Sequence, residues 1–234
     1  MVTEINRLIC RYKKLKRLYS KEVLGEFMNS LIIAHASYSN TTIEGTRVTL
    51  DDTYDVFEGK HLSQGKEIDE QELINYKEAL NIIRGYKGKI TSILIKNIHA
   101  IILDEVFPSL CGKYREDSNI SIDEAIEELT DNITNYFRDS GNDGESEAFT
   151  MMVKWHITFE KIHPFKEGNG RVGRIIFSNM MERIGLPPLV FSVNYSHLYH
   201  EAIKNNDAEL LEAIFIKCYE NIFDIMEMTE CFYE

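Results

Sequence analysis

The densest group of residues able to do chemistry lies at positions 163–174, which read HPFKEGNGRVGR. Three glycines fall within residues 168–173, and the segment connects two predicted helices, the second of which begins near Asn169. The N-terminus of a helix offers free backbone N–H groups and the positive end of the helix dipole. The turn is therefore typical of an anion-binding site.

Four side chains around this turn indicate what the anion would be. Arg171 and Arg174 are three residues apart on the first turns of the helix, so both guanidinium groups can face one site, as a polyphosphate requires. Glu167 can hold Mg²⁺, which binds one or two carboxylates together with phosphate oxygens and water. His163, at the end of the preceding helix, is placed as a general base. The alternative is an ordinary helix-breaking turn followed by surface arginines.

Apolar residues at three- and four-residue spacing predict that the chain is mostly α-helical. Predicted helices cover residues 4–20, 22–38, 50–58, 67–85, 90–106, 124–138, 147–162, 169–184, 197–204 and 207–230. Residues 111–122 differ, because Ile120 and Ile122 alternate beside a short polar stretch, which predicts a β-hairpin.

Composition excludes several classes of function. The 234 residues carry a formal net charge of −12, whereas nucleic-acid binding needs clustered basic residues. No apolar run approaches the ~18 residues of a membrane span, and the N-terminus has no signal-peptide core. The four cysteines form no CxxC pair, which fits reduced thiols and gives no sign of a zinc site. His156 lies on an otherwise apolar stripe and is expected to be a core residue. We expect a cytoplasmic protein without nucleic-acid or membrane partners.

The segment HPFKEGNGRVGR resembles the signature of the Fic family, HxFx(D/E)GNGRxxR, at every defined position. KWHITFEKIHPF resembles the family's helix before the site. CGKYREDSNISI resembles its β-hairpin flap, with Gly112 and Arg115 in the expected Gly-x-x-Arg spacing. The resemblance covers residues 67–220 and implies a mostly α fold, with a Fic-type helical core and a short hairpin flap.

The same resemblance implies how the chain is organised. An N-terminal helical extension is expected at residues 1–66, and a catalytic core at residues 67–234 with its flap at 112–122. The flap would hold an extended segment of a target protein by strand addition. A homodimer is a family-level expectation.

The segment NTTIEG at residues 40–45 resembles the inhibitory motif (S/T)xxxE(G/N) of class II family members. The inhibitory segment is therefore expected at residues 26–45. The resemblance implies that Glu44 pairs with Arg174 and so occupies the guanidinium meant for the γ-phosphate. Asn40 stands where Ser or Thr is usual, which leaves the local hydrogen bonding open. The alternative is that Glu44 lies in solvent just past the helix.

The family implies transfer of AMP from ATP to a Ser, Thr or Tyr hydroxyl of a target protein and of the enzyme itself. His163 would deprotonate that hydroxyl, Phe165 would pack beneath the loop, and Glu167 would hold Mg²⁺ between the α- and β-phosphates. Nucleotide contacts are expected from Phe165, Gly168, Asn169, Gly170, Arg171, Arg174 and Tyr199.

Within this set, Arg171 would bind the β-phosphate and Arg174 the γ-phosphate. Tyr199 resembles a family tyrosine near the adenine, and an ordinary amphipathic tyrosine is an equal alternative. Two other functions remain open: the same fold transferring another phosphate-containing moiety or removing AMP, and a non-enzymatic nucleotide-sensing or toxin–antitoxin-like module. The target, the modified residue and the oligomeric state are not specified by the sequence.

Overall fold

The computed structural model describes residues 2–18, 22–116, 120–139 and 144–230. Ten α-helices occupy most of these ranges, which confirms the mostly α prediction. The helices are α1 (Val2–Leu18), α2 (Glu22–Thr42), α3 (Leu50–Phe57), α4 (Glu67–Ile83), α5 (Ser92–Ile102), α6 (Ile122–Asp139), α7 (Glu145–Ile162), α8 (Asn169–Arg183), α9 (Ser196–Asn205) and α10 (Ala208–Glu230). Short 3₁₀ turns lie at Pro108–Leu110 and Val193–Tyr195.

Helix α8 is the centre of the fold. Its side chains are buried continuously from Asn169 to Met181, and α7, α5 and α4 pack against it. The apolar residues of α8 that the sequence pattern singled out, such as Ile175 and Ile176, are 0% exposed. Complete burial of one such side chain contributes about 1.5–3 kcal/mol. The helix that opens the predicted anion site is therefore packed against its neighbours along most of its length.

Helices α1 and α2 cover this centre from the N-terminal side. Helix α1 packs on α7 and α10, and Ile5 and Leu8 belong to the same apolar core as α8. Helix α2 packs mainly on α4 and also reaches α8. The proposed division between residues 1–66 and 67–234 stays a prediction. None of the described helices is both long and apolar enough to cross a lipid bilayer.

The β-hairpin predicted for residues 112–122 is not seen. The described residues of this segment, 112–116 and 120–122, form no strand, and residues 117–119 lie outside the described part. This segment forms hydrogen bonds with the loop between α7 and α8. The Arg115 N–H donates to Pro164 O at 2.9 Å, and Arg115 Nε donates to His163 O at 2.6 Å. Ile122, expected in a second strand, is the first residue of α6. The segment is tied to the loop before α8 instead of to a partner strand.

Candidate active site

A sharp turn between α7 and α8 builds the site. His163 ends α7 in the left-handed conformation (φ 51°, ψ 60°), and its N–H donates to Phe159 O. Gly168 is also left-handed (φ 77°) and precedes the first residue of α8, a conformation that glycine adopts without the strain a side chain would add. The two reversals bring the end of one helix beside the start of the next. His163 and Glu167 are exposed on this turn, while Phe165 is fully buried.

The buried ring of Phe165 anchors the turn by stacking on His99 of α5. The two ring centroids are 3.7 Å apart and the planes differ by 6°. His99 Nδ1 accepts the Gly112 N–H at 2.9 Å, so its other nitrogen, Nε2, donates to Glu167 O at 3.1 Å. One histidine thus connects the loop before α8 to the start of the 112–122 segment. Sequence reasoning missed it; the available signal was a lone histidine on an otherwise apolar helix.

The burial of His99 predicts that the free energy of unfolding depends on pH. Burial lowers the pKa of His99 from 6.5 to about 4, so the unfolded chain takes up a proton in this range that the folded protein does not. The free energy of unfolding therefore falls as the pH drops from 6.5 towards 4. His99→Gln should remove up to about 2 kcal/mol of the stability difference between about pH 7 and pH 5. Urea unfolding at both pH values checks this, and an unchanged difference in the variant would contradict it.

Asn169 orients His163. Its Oδ1 accepts the Phe165 N–H at 2.8 Å, which fixes the amide so that Nδ2 is the donor. Nδ2 then donates to Phe165 O at 2.9 Å and to His163 Nε2 at 3.1 Å. Nε2 must therefore be the unprotonated nitrogen of the neutral imidazole. The single lone pair of Nε2 is taken up by this bond, so Nε2 can accept a proton only once Asn169 releases it.

Arg174 is fully buried and is held by two residues of the N-terminal segment. Its Nη2 donates to Glu44 Oε1 at 2.5 Å and to Asn40 O at 3.1 Å, and its Nε donates to Asn40 Oδ1 at 2.7 Å. The Asn40 amide also donates to Ala36 O at 2.8 Å within α2. Asn40, which departs from the family motif, thus supplies both a side-chain and a backbone acceptor to the arginine.

The ion pair between Glu44 and Arg174 shifts both groups toward their charged forms. Burial by itself would raise the pKa of Glu44, but the charge and hydrogen bond of Arg174 lower it below its ordinary value. Burial would lower the pKa of Arg174, whereas Glu44 raises it. Even so, the Glu44 side chain is 30% exposed, while that of Arg174 is 0% exposed. The carboxylate therefore lies at the mouth of the site and the guanidinium at its base.

Gly170 shows where the Glu44 carboxylate lies. A Cβ at this position would overlap Glu44 Oε1 and would come within 2.7 Å of Arg174 Nη1. Glu44 therefore covers the first turn of α8, where free N–H groups would otherwise meet an anion.

Arg171 points from the same turn towards α4. Its Nη1 donates to Glu72 Oε1 at 2.5 Å, and its buried Nε has no hydrogen-bond partner among the described residues. Sequence reasoning missed Glu72, since nothing near it in the chain marks it.

Tyr199 lies behind Arg174 and is 1% exposed. Its hydroxyl is 2.8 Å from His156 Nε2 and 3.4 Å from Arg174 Nη1. His156 is 0% exposed and stacks edge-on against core aromatic rings. The geometry gives Tyr199 a supporting contact to the arginine, and its contact with adenine stays a prediction.

The residues present fit a magnesium ion held jointly with a nucleotide. Glu167 is exposed directly before the first turn of α8, and Mg²⁺ at such sites takes one or two carboxylates plus phosphate oxygens. Within the described ranges there is no group of three or more His, Cys, Asp or Glu that could hold a metal ion. Most ligands of an ion beside Glu167 would have to come from the phosphates and water.

Comparison with known proteins shows what this chain is similar to. Residues 89–181 match the Fic/DOC family. The protein adenylyltransferase Fic of Nematostella vectensis is 27% identical over 201 residues, covering 80% of this chain and 47% of that protein. Its counterpart in Aedes aegypti is 26% identical over 203 residues, covering 80% of this chain and 40% of that protein. The chain thus spans less than half the length of these curated relatives.

Solved structures share the fold. Fic-1 from C. elegans superposes with a TM-score of 0.80 at 20% identity, covering 96% of this chain and 70% of that one. A Fic domain containing signaling protein from Bacteroides thetaiotaomicron gives a TM-score of 0.80 at 17% identity, covering 96% and 97%. The turn, the α8 N-terminus and its two arginines all lie within residues 89–181, the part of the chain that matches the Fic/DOC family.

Proposed function

We propose that this chain transfers AMP from ATP to a hydroxyl group of a protein, and that Glu44 inhibits this activity. The observation that carries the proposal is the placement of an exposed imidazole, that of His163, beside a helix N-terminus bearing Arg171 and Arg174. The curated relatives named protein adenylyltransferase Fic support it. A cytoplasmic location, docking of the target on residues 112–122 and a homodimer stay predictions.

The proposed reaction follows from the charges at the site. Once Asn169 releases Nε2, His163 takes the proton of the acceptor hydroxyl at that nitrogen, and the hydroxyl oxygen attacks the α-phosphorus of ATP. The bond from the α-phosphorus to the bridging oxygen of the β-phosphate breaks, and pyrophosphate leaves. Arg171, Arg174 and the free N–H groups of α8 stabilise the negative charge that develops on the leaving group. Mg²⁺ at Glu167 would neutralise further phosphate charge.

Transfer of label from ATP tests the proposal directly. The Glu44→Gly protein is incubated with ATP labelled at the α-phosphate and, separately, at the γ-phosphate. Label should reach protein from the α-labelled nucleotide alone, because phosphoryl transfer would move the γ-label instead. Equal or greater labelling from UTP or GTP would overturn the adenylyl assignment. ATP binding without pyrophosphate release would favour a nucleotide-sensing module.

Removing the carboxylate of Glu167 should lower activity through loss of the metal. Glu167→Ala is expected to reduce the rate of AMP transfer, with partial recovery at high Mg²⁺, because phosphate oxygens and water supply the remaining ligands. The measurement is initial rate against Mg²⁺ concentration for the parent and the variant. A variant that stays equally slow at all Mg²⁺ concentrations would remove Glu167 from metal binding.

A further inference from the structure

Glu72 of α4 makes two contacts that join separate parts of the site. Its Oε1 accepts Arg171 Nη1 at 2.5 Å, and its Oε2 accepts the Thr46 hydroxyl at 2.6 Å. The Glu72 side chain is 13% exposed and that of Arg171 is 5% exposed. Thr46 is itself 5% exposed and lies two residues after Glu44. Both carboxylate oxygens are therefore engaged by the protein in a site largely shielded from water.

Arg171 keeps donors that Glu72 does not use. A guanidinium carries five N–H donors in a rigid plane, so binding at one nitrogen restricts where the others point. Glu72 binds at Nη1, whereas the buried Nε has no hydrogen-bond partner among the described residues. An unsatisfied buried donor is costly, which suggests that a ligand completes it.

Glu72 differs from Glu44 in a way that separates their roles. Glu44 lies over Gly170 at the helix N-terminus and is 30% exposed, so it occupies space that a phosphate would take. Glu72 is more buried, comes from α4, and has its second oxygen bonded to Thr46. The negative charge of Glu72 is paired with Arg171, and its other oxygen is bonded to Thr46. An anion can therefore bind the remaining donors of Arg171 without displacing Glu72.

We propose, on the basis of the function proposed above, that Glu72 is a positioning residue for Arg171. It holds the guanidinium at Nη1, so that the free donors face the β-phosphate of the nucleotide. Through Thr46 it also ties this arginine to the turn that carries Glu44. The ordering of a long side chain is then complete before the nucleotide arrives, which removes part of the cost of binding.

The test compares nucleotides that differ by the β-phosphate. Calorimetric titrations with ADP and with AMP are run on the Glu44→Gly protein with and without a second change at Glu72. Glu72→Ala should weaken ADP binding about five- to tenfold and leave AMP binding within about twofold, because AMP lacks the β-phosphate that Arg171 is proposed to bind. A merely structural role would weaken both nucleotides alike.

Three further variants keep the test decisive. Glu72→Gln retains an acceptor for Arg171 and should lose less ADP affinity than Glu72→Ala. If the alanine variant does not fold, Glu72→Gln takes its place in the comparison of ADP with AMP. Thr46→Val keeps the side-chain shape but removes the hydroxyl, and should weaken ADP selectively. In an Arg171→Ala background, Glu72→Ala should have no further effect on ADP. Additive losses, or tighter ADP binding when Glu72 is replaced, would overturn the positioning role.

The outcome separates this inference from the proposed function. If the Glu44→Gly protein transfers AMP but the Glu72 variants bind ADP and AMP as their parent does, the inference fails alone. If ADP selectivity depends on Glu72 but no AMP is transferred, the proposed function fails alone. If the parent protein binds no ADP, both are wrong.

Discussion

Replacing Glu44 with glycine is expected to raise AMP transfer to the protein itself and to added targets at least about tenfold, since near-attack geometry is worth several orders of magnitude in rate. In the structure the Glu44 carboxylate occupies Arg174 Nη2 and covers the first turn of α8. A like charge about 4 Å from a phosphate is repelled by about 4 kcal/mol at an effective dielectric constant near 20. ATP bound beside Glu44 would therefore hold its phosphates away from in-line attack.

The substitution should leave the fold intact. Helix α2 ends at Thr42, so Glu44 lies outside it, next to Gly45 at φ 105°. Asn40 still accepts from Arg174 Nε and Nη2 in the variant, so the buried guanidinium keeps partners while Nη2 gains room for a phosphate. Release of the site should therefore need no refolding.

Label incorporation is measured for the wild type, Glu44→Gly, and Glu44→Gly with Arg174→Ala, at equal protein and ATP. The double variant should lose activity again, because the γ-phosphate then has no guanidinium. Glu105→Gly is the matched control, as Glu105 is an exposed glutamate in a left-handed conformation, and it should show wild-type activity. Unchanged activity in Glu44→Gly would make Glu44 a solvated helix end and the inhibitory interpretation wrong.

Replacing His163 with alanine in the Glu44→Gly protein should reduce AMP transfer about 10²- to 10⁴-fold, the usual effect of losing a general base. Asn169 marks Nε2 as the unprotonated nitrogen of His163, and the ring is exposed where an acceptor hydroxyl can approach and replace the amide as its partner. The imidazole acts on the hydroxyl and not on the phosphates. ATP affinity, measured by calorimetry, should therefore stay within about twofold, so that the loss falls on the chemical step.

His61→Ala is the matched control for this experiment, because His61 is an exposed histidine in the loop between α3 and α4 and pairs with Glu70. It should retain the activity of the Glu44→Gly parent. Transfer at the parental rate by the His163→Ala protein would remove His163 from the mechanism.

Much of the fold could be predicted from the sequence, because helical periodicity is local. The apolar stripe of α8 and the break at HPFKEGNG placed two helices around a turn, and the structure confirms both. Local periodicity could not decide whether residues 112–122 form a hairpin. Alternating isoleucines predict a strand only if a partner strand exists, and Arg115 bonds instead to Pro164 and His163, nearly fifty residues away.

The sequence by itself determined that His163, Glu167, Arg171 and Arg174 lie within twelve residues around one turn, and the chemistry assigned to them stays a prediction. Tertiary structure decided what each of these groups touches. The partners Asn40, Glu72 and His99 come from α2, α4 and α5, and their distance along the chain carries no local signal. Contacts of this kind depend on how helices pack, because burial brings a charged or polar group against whichever neighbour can satisfy it.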